Sequence, residues 1–96
     1  MVKADLVKLI SQRTGIDSIA VQIVVEEFMI SVKANLSNGE NIYLRGFGTF
    51  GVRLRKQKVG RNISQGTSLI IPAHYVPYFK PTKDFKSDLL KNAAEA

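Results

Sequence analysis

Residues 46–62 read GFGTFGVRLRKQKVGRN, and the fold is decided in this run. Gly46-Phe47-Gly48 has the glycine content of a turn. Phe50, Val52 and Leu54 then alternate with Gly51, Arg53 and Arg55. A period of two predicts a strand with one core face and one basic face. After Leu54 the pattern changes, and Lys56 and Lys58 take the face that the apolar residues had used. A ribbon polar on both sides cannot lie against a core. The chain is therefore expected to leave the body of the protein as a β-arm. Its tip falls in residues 60–66, where glycines enclose Arg61, Asn62, Ile63, Ser64 and Gln65. The return runs through Thr67 to Ile71 and rejoins the body from Ala73 to Phe79. Pro72 and Pro77 have no N–H to donate, so the returning strand is expected to lie at an edge or to be broken. At about 3.3 Å per residue, the stretch from Leu54 to Asn62 makes an arm about 30 Å long.

Charge marks out the same region. Between Glu40 and Asp84 there is no acidic residue, while Arg45, Arg53, Arg55, Lys56, Lys58, Arg61, Lys80 and Lys83 are basic. All eight acids lie outside, and the net charge is +6. A solubilising surface mixes signs. A one-signed patch repels itself and points to a polyanionic partner, nucleic acid first.

The remaining segments supply a base. Residues 3–14 carry Leu6, Leu9, Ile10 and Arg13 at helical spacing, with Asp5 in the first turn and Gly15 as a stop. Asp17 is a suitable N-cap for a second helix over 18–37. That helix has two apolar faces. One holds Val21, Val24, Val25, Phe28, Val32 and Leu36; the other holds Ile19, Ile23, Ile30 and Ala34. Polar strips of Gln22, Glu26 and Lys33, and of Glu27, Ser31 and Asn35, separate them. A surface helix needs one apolar face. A chain of 96 residues has little to cover two, so a second copy is expected to supply the missing layer. The alternative, burial within a single monomer, is disfavoured by the short chain. Ser37-Asn38-Gly39 ends the helix. Ile42 and Leu44 alternate with Tyr43 and Arg45 as a further strand, and Thr82 can cap a last helix over 83–91 with Phe85, Leu89 and Leu90 facing inward. Asn92 to Ala96 reads as a frayed tail.

Several function classes fall away. Without cysteine there is no disulfide, thiolate metal site or thiol chemistry. His74 is the lone histidine and does not make a metal site. No nucleophile–base pair or carboxylate dyad is evident, and Gly46-Phe47-Gly48 lacks the third glycine of a dinucleotide site. Neither an enzyme nor a cofactor is expected. No apolar run approaches the roughly 18 residues of a membrane span, and the N-terminus lacks a signal-peptide layout. A cytoplasmic protein is expected. Ile63 is the one apolar residue of the tip. At the end of a cationic ribbon it is expected to enter between base pairs as a wedge. Lys80, Lys83 and Lys86 gather around the start of the last helix, and Lys3 opens the first. Tyr75, Tyr78, Phe79, Phe47 and Phe50 could stack on bases, with core packing favoured for the phenylalanines.

These residues carry a resemblance. Gly46-Phe47-Gly48-Thr49-Phe50, Val52-Arg53-Leu54-Arg55, Gly60-Arg61-Asn62, Ile71-Pro72-Ala73, Val76-Pro77 and Phe79-Lys80-Pro81, in that order, are similar to the bacterial HU and integration-host-factor family of DNA-bending proteins. The resemblance covers nearly the whole chain. It implies an intertwined dimer with a helical base, a sheet forming a saddle, and two arms embracing a bent duplex in its minor groove. It implies that Arg53, Arg55, Lys58 and Arg61 line the arm, that Lys3, Lys80, Lys83 and Lys86 hold flanking phosphates, and that Phe47, Phe50 and Phe79 pack the core and the dimer interface. Two positions depart from the family. Ile63 stands where the family usually has its wedge proline, and Thr82 stands where it commonly has glycine.

The expectation is one α+β domain over 1–96. Residues 1–40 form a helical dimerisation base with two N-terminal helices. Residues 41–81 form a three-stranded antiparallel sheet with a protruding β-ribbon arm, and 82–96 a short C-terminal helix and tail. The function expected is that of a histone-like, nucleoid-associated protein binding double-stranded DNA with little sequence preference and bending it. Rival readings are a sequence-specific bender, an RNA-binding protein and, more distantly, a scaffold for acidic proteins. The residues expected at the DNA are Lys3, Gly46, Gly48, Arg53, Arg55, Lys56, Lys58, Arg61, Asn62, Ile63, Lys80, Lys83 and Lys86. Those expected in the core and dimer interface are Val25, Phe28, Val32, Leu36, Leu44, Phe47, Phe50 and Phe79. The partners expected are duplex DNA and an identical subunit or a paralogue, with no membrane and no small-molecule substrate.

Overall fold

A computed structural model describes the backbone of residues 1–62 and 67–95 and the side chains of residues 1–60 and 69–91. The proposed wedge, Ile63, and the rest of the tip through Gly66 lie outside the described residues. The order is α1 (Lys3–Thr14), α2 (Ser18–Ser37), β1 (Ile42–Leu44), β2 (Gly48–Arg55), β3 (Lys58–Asn62), β4 (Thr67–Ile71), β5 (His74–Pro81) and α3 (Lys83–Glu95). Strands β1, β2 and β5 form an antiparallel sheet in that order, and β3 with β4 forms a separate two-stranded ribbon.

Helix α1 starts where the Asp5 carboxylate accepts the Val2 N–H at 2.8 Å. It stops at Gly15, whose left-handed backbone turns its N–H onto Ser11 O at 2.9 Å. Asp17 stands at the N-cap of α2 but makes no side-chain cap hydrogen bond. Thr82 does cap α3, its Oγ1 accepting the Phe85 N–H at 3.3 Å. A cap of this kind contributes roughly 0.5–2 kcal/mol. Helix α3 continues to Glu95, four residues beyond the expected end at 91. Residues 92–95, expected as part of a frayed tail, are helical; Ala93 and Ala94 are strong helix formers and no glycine or proline interrupts them. No helix among the described residues is long and apolar enough to cross a membrane.

The arm differs in one respect from the expected single ribbon out of Leu54. The β2–β5 ladder runs on to Arg55 opposite His74. Lys56-Gln57 on one side and Pro72-Ala73 on the other then fall outside the strands, and the β3–β4 ladder begins at Lys58 opposite Ile71. Proline removes a ladder donor, and Pro72 sits at this interruption. The returning strand is thus both broken and at the sheet edge.

Five phenylalanines join the three layers. Phe28 of α2 meets Phe50 of β2 at 6.3 Å between ring centroids. Phe50 meets Phe79 of β5 at 4.9 Å, Phe79 meets Phe47 at 5.1 Å, and Phe47 meets Phe85 of α3 at 5.5 Å. Gly48 is buried beneath this string; a Cβ there would lie 2.5 Å from the Phe79 ring and 2.7 Å from the Lys80 carbonyl oxygen. Yet the interior is thin. Among the described residues only Val7, Val21 and Leu36 are buried apolar side chains. Val25, Val32 and Leu44 are half-buried, and Leu54, Phe28, Phe47 and Phe79 are exposed. The accessible surface is 8198 Å², against roughly 5500 Å² for a compact monomer of this size. The radius of gyration is 19.0 Å, where about 13 Å suits a compact chain of 100 residues.

One ion pair occurs among the described residues. Lys3 Nζ donates to Glu26 Oε1 at 2.9 Å and ties the start of α1 to the middle of α2. Gln22 Nε2 donates to the same oxygen at 3.2 Å. The hydrogen bond from Lys3, then that from Gln22, then the Lys3 charge hold the Glu26 carboxyl below its ordinary value. A carboxyl depressed in the folded state stabilises the fold above its unfolded pKa, and that contribution disappears as pH falls through the lowered value. The expected outcome is that wild type is more thermostable than Glu26→Gln near neutral pH at low salt, and that the two melting curves converge as pH falls below the lowered Glu26 pKa. A gap unchanged by pH would show that the pair does not support the fold.

Candidate nucleic-acid interface

The sheet has two unlike faces. Ile42, Phe50 and Phe79 lie opposite one another across β1, β2 and β5, and so share a face with Leu44, Val52, Leu54, Pro77 and Tyr75. Phe28 packs on this inner face from α2. The outer face holds Tyr43, Thr49 and Lys80 in one rung, then Gly51 with Tyr78, Arg53 with Val76, and Arg55 with His74. Three basic side chains therefore stand on one side of the sheet and none on the other. The Arg53 guanidinium lies over the Tyr78 ring, 4.4 Å from its centroid. His74 Nδ1 is 2.9 Å from the Pro72 carbonyl oxygen at the root of the ribbon.

Beyond that root, Lys56 and Lys58 are exposed and continue the positive charge onto β3. Arg61 and Asn62 are in β3, opposite Ser68 and Thr67. The ribbon carries apolar side chains on both faces, with Val59 beside Ile70 on one and Leu69 with Ile71 on the other, all exposed. A ribbon of this width, cationic and apolar together, suits a groove walled by phosphates and floored by sugars and base edges.

At the opposite end of the sheet, the Thr82 N–H donates to Phe47 O at 2.9 Å. This bond brings the Gly46–Gly48 turn against the start of α3. The turn needs glycine at Gly46, where φ is 80°. Lys80, Lys83 and Lys86 are exposed here, close to the unpaired N–H groups of a helix start. Arg45, exposed in the same turn, belongs to the basic stretch but is not among the residues expected at the DNA. None of Arg45, Arg53, Arg55, Lys56, Lys58, Lys80, Lys83 and Lys86 makes an ion pair among the described residues; Lys3 does. All of these unpaired cations but Lys86, which lies between Asp84 and Asp88 in α3, belong to the stretch devoid of acids, and cations left facing solvent there keep their full field for an external anion. Tyr78 and Gly51 were also not placed together by sequence reasoning. Their meeting depends on the register of strands 27 positions apart, which no local pattern reports.

Comparison with known proteins agrees with this arrangement. The family described as bacterial DNA-binding protein matches residues 1–89. Integration host factor subunit beta of Hahella chejuensis is 38% identical over 90 residues, covering 93% of this chain and 92% of that one. The subunit beta of Mannheimia haemolytica is 39% identical over 93 residues, covering 94% and 100%. Among solved structures, the HU of an Anabaena HU–DNA cocrystal superposes with a TM-score of 0.89 at 29% identity, covering 93% of this chain and 97% of that one. A family match over nearly the full length, relatives well above 30% identity and the same helix–sheet–ribbon order together show that the chain belongs to the bacterial DNA-binding protein family of HU and integration host factor.

Proposed function

We propose that the chain works as a dimer that grips double-stranded DNA in the minor groove, with little sequence preference, and bends it. The observation that carries this reading is the continuity of unpaired positive charge from the outer sheet face onto the β3–β4 ribbon. A flat basic face binds a straight duplex; a ribbon projecting from that face reaches around its side. Contacts on both the face and the side of the duplex are satisfied together only if the DNA curves. Bending a 20–30 bp site costs on the order of 1–6 kcal/mol, which phosphate contacts from arm and saddle must offset. Ile63, at the ribbon tip, is the residue proposed to localise the bend by partly unstacking one base step. Lys3 must give up Glu26 to serve a phosphate, so its contribution is smaller than that of the unpaired lysines on α3.

The dimer is supported by what one chain leaves uncovered. Ile19, Ile23 and Ile30, the second apolar face of α2, are 69%, 62% and 58% exposed. An open hollow of about 1000 Å³ lies between the C-terminal half of α2 and the inner sheet face, lined by Val32, Leu36, Phe50, Val52 and Phe79 among others. Water against so much apolar surface is unfavourable at roughly 25 cal/mol per Å². A second copy fills the hollow and covers the helix face together. The cytoplasm and its nucleoid are the proposed setting. A second reading, binding to defined sites with a paralogue as partner, is favoured by the relatives named as integration host factor subunits. Competition between random and candidate-site duplexes separates the two.

Sedimentation equilibrium of the full chain is expected to give twice the chain mass, and a stable lone subunit would overturn the dimer. Arg55→Ala should lower the slope of log affinity against log salt by roughly one; an unchanged slope means that Arg55 does not reach phosphate. Ile63→Asp should reduce bending, read by energy transfer across an end-labelled duplex, by more than it reduces affinity at low salt. Equal losses of both would remove the wedge.

A further inference from the structure

Arg53 and Tyr78 are diagonal neighbours on the outer face of the β2–β5 ladder, because Gly51 is opposite Tyr78 and Val76 is opposite Arg53. Diagonal pairs are within reach of long and aromatic side chains. The guanidinium carbon is 4.4 Å from the ring centroid, and among the described residues this is the one cation stacked on a ring. The far end of the ring lies over Gly51. A Cβ at that position would be 2.6 Å from both Cζ and Oη of Tyr78. Gly51 is buried, Tyr78 half-buried and Arg53 exposed. Glycine weakens a strand interior and commonly marks a close approach. Here it leaves the space that the ring occupies.

The arrangement has an electrostatic consequence. Arg53 and Arg55 project from the same face two residues apart, so their charges repel. Tyr78 sits toward Thr49 and Lys80, on the side of Arg53 away from Arg55. Stacking therefore draws the Arg53 guanidinium toward the body of the sheet and away from the root of the arm. A stacked guanidinium keeps its N–H donors at the rim, available to phosphate oxygens. It also has less rotamer freedom left to lose on binding.

We infer that Tyr78 is a positioning residue for DNA binding, holding Arg53 on the body side of the saddle so that Arg53 and Arg55 meet different phosphates, with Gly51 as the gap the ring requires. The inference rests on the DNA-binding reading proposed above. The test is a mutant cycle on a fluorescent duplex, followed by anisotropy, with melting curves taken for each variant. Tyr78→Leu keeps an apolar side chain but removes the π face and should weaken binding about two- to fivefold. Tyr78→Phe keeps the ring and should bind as wild type does. In an Arg53→Ala background, Tyr78→Leu should have no further effect. Gly51→Ala, which displaces the ring, should behave as Tyr78→Leu does and be silent in the same background; it serves the cycle if Tyr78→Leu fails to fold. Equal weakening with and without Arg53, or failure of Tyr78→Phe to match wild type, overturns the inference while leaving the DNA-binding reading intact. A wild-type chain that leaves the duplex unbound sinks that reading, and this inference with it.

Discussion

The second apolar face of α2 is the constraint on which the rest of the molecule depends. Ile19, Ile23 and Ile30 have nothing from their own chain laid over them. Helix α1 covers the Val21 side, where Val7 and Val21 are buried, and the sheet reaches the Phe28 side. No other described element packs substantially on α2. With three buried apolar side chains among the described residues, one copy falls far short of the burial that offsets about 1–2 kcal/mol of backbone entropy per residue. On the dimer reading, folding and assembly are one event. The aromatic string from Phe28 to Phe85 then joins a shared base to the sheet and to α3, so the saddle inherits its rigidity from the subunit contact.

Charge and burial are divided between the two faces of one sheet. The inner face uses Ile42, Leu44, Phe50, Val52 and Phe79 to meet the helices; the outer face uses Lys80, Arg53 and Arg55. Strand periodicity makes this division automatic, since adjacent residues point to opposite sides. The same alternation that makes one side of β2 half a core makes the other side basic. The acids are confined to the helices and to the N-terminal part of the chain, where Glu26 meets Lys3 and does not reach the outer sheet face.

Much of this was legible in the sequence, for a physical reason. The alternation Phe50-Val52-Leu54 against Gly51-Arg53-Arg55, the two faces of α2, and the glycine at 15 are local patterns, and local geometry obeys them. Helices α1 and α2 begin and end where the spacing places them. Less legible was whatever depends on residues far apart in the chain. The stacking of Arg53 on Tyr78 over Gly51 requires the β2–β5 register, and the engagement of Lys3 by Glu26 requires the packing of α1 on α2. The end of α3 was missed because a short alanine-rich segment was read by its position at the terminus rather than by its propensity. The roles of Arg61, Asn62 and Ile63 rest on the sequence, since their side chains lie outside the described residues.

The interruption between the two ladders has a mechanical consequence. No inter-strand rung joins Arg55 opposite His74 to Lys58 opposite Ile71, so torque on the ribbon is not transmitted to the sheet through hydrogen bonds. Lys56-Gln57 and Pro72-Ala73 are the two strands of backbone that link ribbon to sheet. On the proposed reading, the ribbon's direction can then adjust to the path of a groove without disturbing the strand alignment of the sheet, and duplexes of differing curvature meet one unaltered platform.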